Sequence, residues 1–266
     1  MAGRRNNELT PEEARNMMVA QGNELIRHAR NQYSEQEQNV IYFMISRVKP
    51  DDKELMTQTF TIKELCKVLG LSPDQGKNIA DMKAAIKNLA DKSAWVEVQD
   101  GKEVLVRWVD TYTIDHNKNT IEARISQSME PFLIGLRERG FYTQSELVYF
   151  LALQSKYSKR MYEILRSYIN FRPEYQNRQI IQYYSIDELR GLLGVGDKLP
   201  RFNDFKRNAI KLSIQQINQL TDIEILYADE EKSGRKVTGM TFCFRLRDNM
   251  GRFAAAKTAN GVLVRH

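Results

Sequence analysis

Apolar residues recur at helical spacing in several segments of the N-terminal half of the chain, each bounded by polar residues or glycine. Ser34 and Thr61 each precede a glutamate by three residues, which is the spacing of a capping box. Gly70 has the place of a helix-ending glycine. We expect four helices here, at 23–31, 34–49, 61–70 and 74–92.

Shorter apolar runs predict strands at 95–98, 104–114 and 120–125, with Asp100-Gly101 as a hairpin turn between the first two. Some of these strands are apolar on both faces, which indicates either a buried sheet or a protein–protein surface. The second half has the same order of elements. We expect helices from Ser158, at 185–194 and at 202–220, then strands at 223–228 and 237–247 joined by a charged turn.

The two halves of the chain are copies of one module. Four short segments recur 124 residues later: Tyr33-Ser34 as Tyr157-Ser158, Thr61–Leu65 as Ser185–Leu189, Leu69-Gly70 as Leu193-Gly194, and Ala85–Lys87 as Ala209–Lys211. The offset is constant, with no gap between the first match and the last. A repeat of this length is a domain duplication, not a solenoid.

Three helices followed by a β-hairpin are typical of a winged helix, whose second and third helices form a helix-turn-helix and whose hairpin is the wing. We therefore predict an α+β fold of tandem duplicated winged-helix domains, with an α+β module of another topology as the alternative. The expected organisation is a flexible N-terminal tail at 1–22, a first domain at 23–130, a second at 131–247, and a C-terminal tail at 248–266 without an assigned role.

The charge of the chain is concentrated in the second copy. The 266 residues carry a net charge of +6. Residues 25–130 hold 15 Lys/Arg and 16 Asp/Glu, whereas residues 151–247 hold 17 Lys/Arg and 11 Asp/Glu. A basic domain attracts polyanions, most often nucleic acid.

Signals for other functions are weak. The three histidines lie far apart in the sequence, and Cys66 and Cys243 fit reduced core residues, so no metal site is expected. Segment 70–78 resembles a phosphate-binding loop, but its glycines are too far apart and Asn78 replaces the magnesium-binding Ser or Thr. No apolar span or signal peptide is visible. We expect a cytoplasmic binding protein without a cofactor or metal, and not an enzyme.

The third helix of the second copy has a free face suited to reading DNA bases. A helical wheel places apolar residues on one side and basic or amide side chains on the other. Arg and Lys suit guanine, Asn and Gln suit adenine, and the helix start lies nearest the groove. An ordinary solvated basic face is the alternative. The candidates are Arg201, Asn203, Lys206, Arg207, Asn208, Lys211, Gln215 and Asn218.

Other basic residues are candidates for phosphate contacts, which position a protein without reading sequence. Arg235 and Lys236 lie on the predicted wing, and Lys77, Lys83 and Lys87 lie on the third helix of the first copy. Acids alternate with those lysines, so the first copy suits backbone or dimer contacts. Tyr157, Lys159 and Arg160, at the start of a helix, either contact backbone or serve capping and packing.

The second copy resembles the plasmid replication initiator (Rep) proteins of iteron plasmids, which have two winged-helix domains. Asn23–Ile26 and the helix after Ser34 resemble the start of that family's first domain. The matching series in the second copy are Tyr157-Ser158-x-Arg160-x-Tyr162-Glu163-x-Leu165, Tyr184-x-Ile186-x-Glu188-Leu189-Arg190-x-x-Leu193-Gly194, Phe205-Lys206 onward to Ile217-Asn218-x-x-Thr221-Asp222-Ile223, and Gly234-Arg235-Lys236-Val237 leading to Phe242-x-Phe244.

The resemblance implies a protein that binds double-stranded DNA as a monomer at directly repeated iterons and helps to open the adjacent origin DNA. It implies recruitment of a host initiator and a replicative helicase, without catalysis. It also implies a homodimer, joined through the first domain, that represses its own promoter at an inverted repeat. By this resemblance Arg207 and Lys211 enter the major groove. A winged-helix transcriptional regulator without a replication role, and a replication nuclease, are the alternatives.

Overall fold

A computed structural model describes residues 9–30, 32–99, 101–115, 117–118, 120–169 and 178–264. The helices are α1 (Pro11–Arg15), α2 (Asn23–His28), α3 (Glu35–Ser46), α4 (Ile62–Val68), α5 (Gly76–Ala90), α6 (Glu130–Leu133), α7 (Leu136–Arg139), α8 (Leu147–Ala152), α9 (Lys156–Arg166), α10 (Ile186–Leu192), α11 (Phe202–Phe205), α12 (Leu212–Leu220) and α13 (Asn249–Val264). The strands are β1 (Met18–Gly22), β2 (Gln58–Thr61), β3 (Ser93–Gln99), β4 (Lys102–Arg107), β5 (Val109–Asp115), β6 (Thr120–Ile125), β7 (Tyr142–Glu146), β8 (Ile180–Ser185), β9 (Ile223–Ser233) and β10 (Lys236–Leu246). None of the described helices is both long and apolar enough to span a bilayer.

Local sequence chemistry sets most helix ends as predicted. Ser34 and Thr61 form capping boxes with the glutamates three residues on. Gly70 ends the α4 turn with φ +75°, and Gly194 ends the α10 turn with φ +60°. The predicted cap at Ser158 is wrong. Ser155 caps α9 by accepting from the Tyr157 amide, and Ser158 is buried one turn inside the helix.

The duplication extends beyond the segments that match in sequence. β1 and α2 lie 124 residues before β7 and α8, and the two strands pair antiparallel. The residues of the central pair, Ala20 and Gln144, are 124 positions apart. Adding 124 to Met18 and Gly22, at the two ends of β1, gives the partners of Gly22 and Met18 respectively. The copies therefore meet about a local twofold axis, as in an isologous dimer interface. Their apolar side chains form one continuous core.

Sheet topology shows which hairpin of the first copy corresponds to the wing. The first copy has the strand order β2–β6–β5 and the second β8–β10–β9, so β5–β6 matches β9–β10. The β3–β4 hairpin is an insertion between the third helix and the wing. Its inner face, including Val96 and Val106, is buried, whereas the cross-strand pair Trp95 and Leu105 is exposed. The predicted strand at 104–114 is two strands, separated at Trp108.

Both predicted tails contain ordered structure among the described residues. Residues 10–22 hold α1 and β1, so the expected flexible tail is wrong there, while residues 1–8 lie outside the described part. Buried Arg15 donates to the carbonyl oxygens of Val68 (2.7 Å) and Lys67 (2.9 Å) at the end of α4. The C-terminal residues form α13, which packs against α8 and α12. β7 and α8, in the stretch predicted as second domain, contact β1 and α3.

Gly70→Ala is expected to destabilise the protein and loosen α13. A residue with a Cβ pays about 1–2 kcal/mol for left-handed backbone, and here the Cβ would also overlap the Leu263 carbonyl oxygen on α13. Gly140→Ala is the matched control, because Gly140 has φ +78° and no neighbour within 4 Å of the added Cβ. Urea unfolding and protease cleavage in α13 measure both effects. Equal destabilisation of the two variants would mean that α13 does not depend on this close approach.

Candidate nucleic-acid interface

The third helix and the wing of the second copy enclose a groove of about 740 Å³. α11, a π-helical segment (Lys206–Lys211) and α12 form the helix, and β9–β10 form the wing. Four of the predicted DNA-contacting residues line this groove, namely Asn203, Lys206, Arg235 and Lys236. The structure thus brings together residues that lie up to 33 positions apart in the sequence.

An ion pair ties the helix to the wing across this groove. Lys206 Nζ contacts Glu230 Oε1, and Lys232 Nζ lies 3.2 Å from the other carboxylate oxygen. The hydrogen bond that Lys206 donates to Glu230 is the main cause that lowers the pKa of this carboxyl group, and the hydrogen bond from Lys232 is the next. The ion pair therefore links the wing to the start of the helix.

The outward face of the helix beside the groove is basic and open. Arg207, Lys211 and Gln215 are exposed, as the helical wheel predicts, and Asn208 is half-buried. Arg201, predicted from its place at the start of the helix, is also exposed. Arg207 is 72% exposed at its side chain and lies 2.9 Å from Asp204 Oδ1. The π-helical segment carries Lys206 to Lys211, and such segments occur frequently at functional sites.

The structure corrects the prediction that Asn218 faces the DNA bases. Its Nδ2 donates to the Ile225 carbonyl oxygen at 2.9 Å, and its Oδ1 accepts from the Ile225 amide at 2.7 Å. The side chain therefore fixes the start of the wing against α12. The charged turn predicted at 229–236 is also shorter than expected, because residues up to Ser233 continue β9 and the turn centres on Gly234 with φ +62°.

The predicted phosphate contacts of Lys159 and Arg160 are wrong, because both side chains are buried. Lys159 is 0% exposed and donates to the Phe150 carbonyl oxygen at 2.6 Å, and burial lowers its pKa to about 8. Arg160 is 4% exposed and pairs with Glu163 at 2.5 Å. Tyr157 is half-buried beneath the ammonium group of Lys156, 4.8 Å from the ring centroid.

Arg160 instead joins the two copies. Its Nη2 donates to the Ile26 and Ala29 carbonyl oxygens of the first copy, at 2.5 and 3.0 Å, and its Nε donates to Leu192 of the second at 3.0 Å. Its partner Glu163 accepts from Gln21 of β1 at 2.7 Å. The packing alternative that the sequence left open therefore holds for this arginine.

The third helix of the first copy presents a more neutral face. Lys77, Lys83 and Lys87 on α5 are exposed, as predicted, but Lys77 Nζ lies 2.7 Å from Asp81 Oδ2 one turn along. Sequence analysis also missed two exposed lysines near the second-copy interface, Lys198 before α11 and Lys232 on the wing. Their positive charge is the only signal that the sequence offers for them. Within the described ranges no three His, Cys, Asp or Glu side chains group as metal ligands.

Arg235→Ala is expected to weaken binding to every DNA sequence alike. Arg235 is exposed at the wing tip, and we expect a side chain in this position to contact phosphate and not a base edge. Removing one phosphate interaction of this kind lowers the slope of log K against log salt by about 0.9. Fluorescence anisotropy on specific and random duplexes over a salt series measures this slope. Ser233→Ala on the same exposed tip is the control, and an unchanged slope in Arg235→Ala would remove this side chain from the interface.

Comparison with known proteins agrees with this architecture. A family model described as "Initiator Replication protein, WH1" matches residues 18–166, and one described as "Initiator Rep protein, WH2" matches residues 185–244. The fold is similar to the structure titled "Crystal structure of Pi initiator protein in complex with iteron DNA", with a TM-score of 0.69 and 19% sequence identity over 88% of this chain and 99% of that chain. The two matches together span most of the sequence and follow the tandem winged-helix order of the structure. The chain belongs to the initiator replication protein family and carries both of its winged-helix domains.

Proposed function

We propose that this protein initiates plasmid replication by binding directly repeated origin sequences. The observation that carries the proposal is the groove between the third helix and the wing of the second copy, with Asn203, Lys206, Arg235 and Lys236 around it. Family membership supports replication initiation, and the similar Pi initiator protein is named in complex with iteron DNA. The protein acts by binding, without catalysis or cofactor, in the cytoplasm.

Dimerisation through the first copy and repression of its own promoter at an inverted repeat complete the proposal. The exposed pair Trp95 and Leu105 on the β3–β4 hairpin supports a protein contact there, because large apolar side chains gain most from being covered. The exposed lysines of α5 support backbone contacts by the first copy. The host initiator and replicative helicase are the proposed replication partners.

An origin-opening assay tests the replication role. Supercoiled DNA carrying the direct repeats beside an AT-rich stretch is incubated with the protein and the host initiator, then probed with permanganate for unpaired thymines. We expect reactive thymines in the AT-rich stretch that depend on the protein and disappear when the repeats are scrambled. Protection of an operator without any unpaired bases would identify a transcriptional regulator instead.

A further inference from the structure

A basic cleft of about 510 Å³ lies between the two copies, outside the groove described above. Arg30 and Lys92 line it from the first copy, and Arg190 lines it from the second. Lys156 reaches its edge by donating to the Gly194 carbonyl oxygen at 3.3 Å. Lys198 follows in the same turn and is exposed. We call these five residues the junction cleft.

The junction cleft holds five basic side chains and fewer carboxylates, since Glu37 lies beside Lys92 and the charges of Glu188 and Glu97 act on Arg30. Lys92 pairs with buried Glu37 at 2.6 Å, and this pair is the one direct salt bridge of the cleft among the described residues. Arg30 and Arg190 donate to backbone carbonyl oxygens, which leave their charge in place. Burial, followed by the nearby charges of Lys198 and Lys92, lowers the pKa of Lys156. Cations held this close together repel one another unless an anion joins them.

The position of the cleft indicates which anion it takes. Lys198 lies three residues before Arg201, at the start of the third helix of the second copy, so at most about 10 Å of chain separates them. Lys92 lies two residues after the end of α5, the corresponding helix of the first copy. We expect a duplex that contacts both third helices to pass the junction between them. The most abundant anion on that path is the sugar–phosphate backbone.

We infer that the junction cleft binds the phosphate backbone of the duplex where the DNA passes from one winged helix to the other. This inference rests on the proposed DNA-binding function and adds a contact to it. It assigns Lys156 and Lys198 to the junction between the copies, a region separate from the third helix and the wing of the second copy. Because phosphate contacts carry no base information, the cleft strengthens binding to all sequences equally.

The test compares salt dependence in two cleft variants and a control. Lys198→Gln, and Lys156→Gln combined with Lys198→Gln, are expected to lower the slope of log K against log salt by about 0.9 for each phosphate that is no longer neutralised, on repeat and random DNA alike. Lys53→Gln removes an exposed lysine in the loop after α3 and is expected to keep the wild-type slope. Lys198→Gln alters an exposed side chain, so thermal melting should show it folded. Wild-type slopes in both cleft variants would overturn the inference.

Two further readouts separate the possible failures. If wild-type protein binds repeats no better than random DNA, the proposed function fails, whereas repeat preference with unchanged slopes in the cleft variants defeats only the cleft. Inorganic phosphate, added at constant ionic strength, tests whether the cleft binds a small phosphate ligand and not the phosphate groups of DNA. Thermal stabilisation by phosphate that is absent in the double variant, with DNA slopes unchanged, would assign the cleft to a small phosphate ligand and overturn the backbone contact.

Discussion

Arg160→Met is expected to lower the free energy of unfolding by about 3–5 kcal/mol, the usual cost of removing one partner of a buried ion pair. The substitution leaves the carboxylate of Glu163, itself 5% exposed, without its guanidinium partner. It also removes the donors of two first-copy carbonyls and one second-copy carbonyl. Urea unfolding followed by circular dichroism measures the decrease.

A matched control and a double variant make this prediction specific. Arg201→Met makes the same chemical change at an exposed arginine and should shift stability by less than about 0.5 kcal/mol. Arg160→Met combined with Glu163→Met should recover part of the stability, because no unpaired charge then remains buried. If Arg160→Met unfolds like wild type while DNA affinity falls at every sequence, the side chain acts at the DNA and the buried assignment is wrong.

Arg207→Ala is expected to weaken binding to the specific site by about 1–3 kcal/mol, which is a decrease of about 5- to 150-fold in affinity, with little change in stability. Arg207 is exposed on the π-helical segment, and its only described polar partner is the side chain of Asp204 one turn back. It is therefore free to turn toward a guanine edge. A competition assay with sites mutated one position at a time should show relaxed preference at one base pair.

Arg235→Ala provides the contrast for this experiment, since removing a wing-tip phosphate interaction lowers affinity without altering base preference. Equal decreases in affinity from Arg207→Ala on specific and random DNA would remove Arg207 from base readout. The free energy of unfolding measured in urea should be the same for both variants as for wild type, because neither side chain is buried.

Sequence periodicity predicted the elements whose stability is local. Capping boxes at Ser34 and Thr61, the left-handed glycines after α4 and α10, and the amphipathic pattern of 202–220 are all signals within a few residues. The fixed offset of 124 residues then predicted the duplicated winged helix. Exposure of Arg207 and Lys211 followed from the same helical wheel.

Elements stabilised by distant partners escaped prediction. β1 and β7 hold mostly small or polar residues and pair with each other in a two-stranded sheet. α8 is apolar all round because it is buried on every side, so it has no helical periodicity to detect. Arg160 has the appearance of a surface charge in sequence, and only the junction between the copies supplies its carbonyl and carboxylate partners.

The acidic residues of the wing are a second place where sequence alone predicted the wrong backbone conformation. Glu and Asp rarely favour strands, so the segment after Ala228 suggested a turn. The ion pair of Glu230 with Lys206 and the pairing with β10 keep this segment extended. Cross-strand pairing therefore outweighs intrinsic propensity here.

Binding to direct repeats is best tested by a mobility-shift titration on duplexes that carry one, two and three of them. We expect a ladder with one additional complex for each repeat, and no ladder on scrambled repeats. A single complex on an inverted repeat, with no preference for the direct repeats over random DNA, would contradict it.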